Sequence, residues 1–73
     1  MLTETMKIWL KNLYLDAAEQ HYGAASNEHL WALGSDTNEE AAQHEYYADE
    51  NRAFAMILES MANKIEEEPT NDN

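Results

Sequence analysis

From residue 41 to residue 65 the chain repeats a pattern every seven residues. His44, Tyr47, Asn51, Phe54, Leu58, Met61 and Ile65 stand alternately three and four apart, and Ala41, Ala48, Ala55 and Ala62 form a second row beside them. An α-helix makes one turn in about 3.6 residues, so both rows run as stripes along one side of a helix. The first stripe reads as the apolar seam of a coiled coil or helix bundle. The alanine row removes bulk next to that seam and lets another backbone come close. These rows predict a long helix packed against an antiparallel neighbour. Asn51 is polar at a seam position, the arrangement that fixes register at some cost in stability.

Few residues interrupt helix formation. Two glycines and one proline punctuate 73 residues, and they divide the chain into periodic segments. Thr3 is a candidate N-cap for a helix over about 4–22, with Gly23 past its end. Ser26 or Asn27 caps a short second helix over about 27–33, stopped at Gly34. Asp36 and Thr37 each precede a glutamate by three residues (Glu39 and Glu40), a doubled capping-box signal. The third helix then runs over about 38–68. The sequence therefore predicts a single all-α domain, residues 1–68, with a disordered acidic tail at 69–73. Its fold is expected to be an antiparallel helical hairpin, with a short connecting helix folded over one end.

A lone hairpin needs only one apolar stripe on each helix, and the first helix carries more than that. Its main face is Leu2, Met6, Trp9, Leu10, Leu13 and Ala17, and a further strip of Ile8, Leu15, Ala18 and Tyr22 lies across Lys7 and Lys11. The later helix likewise has a second face in Tyr46, Ala53, Met56 and Ile57. Burying one large apolar side chain contributes about 1.5–3 kcal/mol, a large part of what holds a small domain folded. The surplus predicts self-association, most simply as a twofold dimer forming a four-helix bundle. The expected core or oligomer interface is Trp9, Leu13, Tyr47, Asn51, Phe54, Ala55, Leu58 and Met61.

Composition narrows the possible functions. There is no cysteine, which removes disulfides and thiolate metal sites and fits a cytoplasmic protein. Fifteen acidic residues against four basic ones leave a formal charge of −11, a balance that repels nucleic acid and anionic membranes. No stretch approaches the roughly 20 apolar residues of a membrane span. The start of the chain lacks the basic and apolar regions of a signal peptide.

No catalytic constellation emerges. Ser26, Ser35 and Ser60 lie outside any nucleophile elbow, and no glycine-rich phosphate loop is present. Glu40 precedes His44 by four residues rather than the three of bundle di-metal sites, and His21 and His29 lack matching partners. No cofactor and no metal site is assigned. The remaining chemical candidate is Lys7, Lys11, Tyr46 and Arg52, cations near aromatic rings that could hold a small anionic or nucleotide-like ligand between subunits. The competing reading pairs these cations along their own helices: Lys7 with Glu4, Arg52 with Asp49 or Glu45, Lys64 with Glu68.

In general character (very short, acidic, helical and without a catalytic signature) the chain resembles accessory proteins of bacteriophages and mobile elements. That resemblance implies a stoichiometric inhibitor of a host system, or a sponge for signalling nucleotides, and it carries over no residue. The sequence thus points to a non-enzymatic, homo-oligomeric binding protein whose partners are itself and another protein. The alternatives are the anionic-ligand sponge and an acidic nucleic-acid mimic that docks on a basic protein surface.

Overall fold

A computed structural model describes residues 2–70 as two helices, α1 (Glu4–Leu33) and α2 (Asn38–Glu67), each of 30 residues. Thr3 caps α1, its hydroxyl accepting from the Met6 N–H at 3.1 Å, and Thr37 caps α2 in the same way from Glu40 at 3.1 Å. Gly34 closes α1, its N–H turning back to the Leu30 carbonyl at 3.2 Å while the Ser35 N–H donates to the Ala32 carbonyl at 3.2 Å. Both caps and the Gly34 stop lie where the sequence places them.

The short connecting helix does not exist as a separate element. α1 passes straight through Gly23 and takes up the segment assigned to it. Gly23 has no positive φ that would end a helix, and no atom lies within 4 Å of where a side chain would project. Glycine inside a helix costs about 1 kcal/mol relative to alanine. The second half of α1 recovers more than that by packing along α2: Ala25, Glu28 and Ala32 all face it, and breaking the helix at Gly23 would lose those contacts.

Two hydrogen-bonded pairs fix how the helices run. His21 Nδ1 meets Asn51 Oδ1 at 2.9 Å, and one heptad further along α1, Glu28 Oε2 meets His44 Nδ1 at 2.6 Å, one heptad back along α2. The hairpin is therefore antiparallel with matched seven-residue repeats. Between these polar layers the register sets Ala25 level with Ala48, and beyond the His21–Asn51 layer, toward the open end, it sets Ala18 level with Ala55.

The seam differs from the sequence expectation in one respect. Ala48, Ala55 and Ala62 lie on the contact line itself, interleaved with His44, Asn51, Leu58 and Ile65. Tyr47, Phe54 and Met61 stand beside the line and are exposed. Facing alanines let the two backbones approach until no room is left between them for a ring or a long side chain, and the bulky row is displaced to the flank.

At the open end, Lys7 Nζ donates to the Glu68 carbonyl at 2.8 Å and to Thr70 Oγ1 at 3.3 Å. The cation thereby serves one of the carbonyls left unpaired at the end of α2. Thr70 also donates to Glu4, and Leu2 bridges to Thr70. Of the expected disordered tail, Thr70 is held against α1, while 71–73 lie outside the described residues. The result is a rod of 61 × 13 × 10 Å with a radius of gyration of 16.8 Å, against about 11 Å for a globule of this length. None of its described helices is long and apolar enough to cross a membrane.

Candidate functional site

Among the described residues the buried set is entirely alanine. Among the described residues only Ala18, Ala25, Ala32, Ala48, Ala55 and Ala62 are buried, and no large side chain is fully enclosed. The solvent-accessible area is 5433 Å², where a compact monomer of 8.4 kDa has about 4,600 Å². The apolar side chains that usually fill a core lie on the outside.

Their placement follows from the heptads, which give the hairpin two unlike flanks. On the first, Ile8, Leu15, Tyr22 and His29 of α1 run beside Glu45, Arg52, Glu59 and Glu66 of α2. This flank is laced with polar contacts. Lys11 pairs with Glu66, Tyr22 donates to Glu59, and His29 meets Glu45 at 2.7 Å. The bond to Glu59, together with partial desolvation and that carboxylate's charge, pushes the Tyr22 phenol above its ordinary value. The bond from Lys11, reinforced by its charge, holds the Glu66 carboxyl below the usual carboxylate value.

On the second flank Leu10, Ala17, Ala24 and Trp31 of α1 run beside Met61, Phe54, Tyr47 and Glu40 of α2, with Met6 and Leu13 adjoining. Ring contacts mark the course of this flank along the seam: Phe54 lies 5.5 Å from the His21 ring, and Trp31 packs edge-on to His44 at 5.8 Å. Trp31 remains 59% exposed, Leu13 49% and Phe54 46%. From Met6 to Trp31, and from Tyr47 to Met61, the two rows contain no charged side chain.

The residues predicted as core or interface separate into three groups. Ala55 is buried in the seam, with Asn51 and Leu58 half-buried beside it. Leu13, Tyr47, Phe54 and Met61 come together on the uncharged flank. Trp9 stands apart on the outer face of α1 and is exposed. Asn51 spends its polar atoms within the hairpin, its amide donating to the Tyr47 carbonyl at 2.9 Å while its oxygen faces His21.

The cation–aromatic candidate is not assembled within one chain. Lys7 and Lys11 lie at the open end, whereas Arg52 lies mid-rod and pairs with Asp49 at 2.7 Å. Tyr46 packs on Tyr47 with ring centroids 5.7 Å apart. A recess of about 120 Å³ at the open end is lined by Glu4, Lys7, Ile8, Lys11, Ile65 and Glu66. That volume falls short of the roughly 300 Å³ at which ligand pockets begin, and both of its lysines are already bonded. The histidines are divided among separate partners, and no group of three potential metal-ligating side chains gathers among the described residues.

Sequence reasoning overlooked the alanine heptad of α1. Ala18, Ala25 and Ala32 mirror the row on α2, but the break assumed at Gly23 split the series before it could be read. A scan against protein-family models, a search of curated proteins and a search of solved structures all return no match for this chain.

Proposed function

We propose that this chain is a non-enzymatic binding protein that works as a homo-oligomer, two hairpins joining into a four-helix bundle, and acts stoichiometrically on a protein partner. The observation that carries this reading is the mismatch between core and surface: six alanines inside, and Trp31, Phe54, Tyr47, Leu13 and other large apolar side chains outside. Alanine contributes little transfer free energy, so two helices zipped through it hold a small part of the stability a domain needs. Exposed contiguous apolar surface on a short chain is the usual mark of an interface, and a second copy supplies a core while closing the assembly by symmetry.

The assembled bundle keeps the acidic exterior of a chain with net charge −11, which favours a basic protein surface and disfavours nucleic acid. The single-chain cation site is a weaker candidate because its lysines and arginine already have partners. Light scattering on the purified protein tests the reading. A molar mass of two or more chains, with unfolding that shifts upward as concentration rises, supports it; a folded monomer at high concentration refutes it.

A further inference from the structure

At the open end of the rod, several charges stand on the helix whose own dipole opposes them. A helix presents partial positive charge at its N-terminus and partial negative charge at its C-terminus. Glu4 and Lys64 suit the ends they occupy. Lys7, however, closes the first turn of α1, where a cation is disfavoured, and Lys11 follows one turn on. Glu66, Glu67 and Glu68 crowd the C-terminal turn of α2, where carboxylates are disfavoured. Taken singly, each end is poorly closed by its own charges.

The antiparallel hairpin sets these two ends side by side. Lys11 pairs with Glu66, and Lys7 Nζ donates to the Glu68 carbonyl at 2.8 Å. Cations that oppose the dipole of α1 thus sit on the negative end of α2. Beyond Glu68 the chain turns back. Pro69 cannot continue the helix and disfavours helical backbone at the residue before it, and Glu68 is extended, with φ −64° and ψ 138°. That exit lays Thr70 across the first turn of α1. Its hydroxyl accepts from Lys7 at 3.3 Å and donates to Glu4 at 3.3 Å, beside the bridge between Leu2 and Thr70. Lys7 is therefore the one side chain that touches both the end of α2 and the segment crossing back over α1.

We propose that Glu68–Thr70 is a strap, fastened through Lys7, that makes the first turn of α1 and the last turn of α2 open and close as one unit. The strap belongs to the single hairpin and stands apart from the homo-oligomer reading. The Lys11–Glu66 pair is a second, exposed fastening beside it.

Amide hydrogen exchange on Lys7→Met tests the coupling, since this change keeps the apolar stem and removes the ammonium. The informative amides are Ile8 in α1 and Glu66, Glu67 and Glu68 in α2, the last bonded to the Ile65 carbonyl at 3.2 Å. The strap predicts severalfold faster exchange at both ends, with amides around Ala25 and Ala48 unchanged. Without a strap, removing a cation from the positive end of α1 should steady that helix and leave α2 untouched. A slower or unchanged Ile8, unchanged α2 amides, or a uniform rise along both helices each overturns the proposal. Thr70→Val retains every charge and removes only the hydroxyl between Lys7 and Glu4. It should also quicken exchange at both ends, and no change at either end would assign the closure to the charges alone and overturn the strap.

Discussion

At the scale of single residues, the alanine seam makes size the critical property. Ala55 is fully buried against α1, and Ala55→Leu adds three carbons where no space exists. The substitution should destabilise the chain by about 1–3 kcal/mol, read from denaturant midpoints. Ala53→Leu, on the exposed face of the same helix, should change stability little. Equal effects of the two would count against close packing through alanine.

The polar flank offers a second residue-level measurement. Glu59 raises the Tyr22 phenol, so the folded state favours the protonated ring. The stabilisation from this contact is fully present below the unfolded tyrosine value near 10 and is lost as pH rises through the folded value. In an ultraviolet tyrosinate titration, one of the four tyrosines should therefore titrate late, and Glu59→Gln should bring it earlier. Glu66 carries the opposite sign. Its contact with Lys11 stabilises above the unfolded carboxylate value and fades as pH falls through the depressed folded one. Both groups are exposed, so the effects are visible as shifts of titration midpoints.

At the scale of elements, much of the architecture was legible because local chemistry agreed with global packing. Thr3, Thr37 and Gly34 act through atoms within their own helical turn, and the caps and stop inferred from them match the helix ends. The seven-residue rows on α2 were equally legible as spacing. Which row faced inward was not, since it depends on the partner helix also presenting alanine, and that series was hidden by the assumed stop at Gly23. A glycine ends a helix only where the chain gains by turning, and here turning would strip α2 of half its partner. Gly23→Ala should accordingly stabilise the protein by about 0.5–1 kcal/mol, since the site is exposed, helical and open to an added methyl. A loss of stability from this substitution would indicate that the bend or freedom at Gly23 matters to the fold.

At the scale of the whole molecule, the candidate site was partly legible. Leu13, Tyr47, Phe54 and Met61 were picked for bulk and spacing, and the hairpin brings them to one flank. Trp9 was picked on the same grounds and faces away, because helical phase a few residues off the seam is decided by which row is buried. The polar pairs His21–Asn51 and Glu28–His44 could not be read from either helix alone. If two hairpins share one core, stability belongs to the pair. A hundredfold dilution should then lower the midpoint of thermal unfolding by several degrees, checked by circular dichroism at low and high concentration; a midpoint indifferent to dilution would assign folding to the single chain.

The alanine zipper also separates two properties that most small domains fuse. In an ordinary core the largest side chains govern both whether the chain folds and whether it keeps its shape. Here the smallest side chains govern how the helices mate, and the largest are left on the outside. A comprehensive substitution scan should consequently look inverted, with enlargement forbidden at Ala18, Ala25, Ala48 and Ala55, while polar replacements at Trp31 or Phe54 spare helix pairing and abolish assembly. Such a scaffold lets selection rewrite its outer rows without redesigning the joint that holds its two arms together.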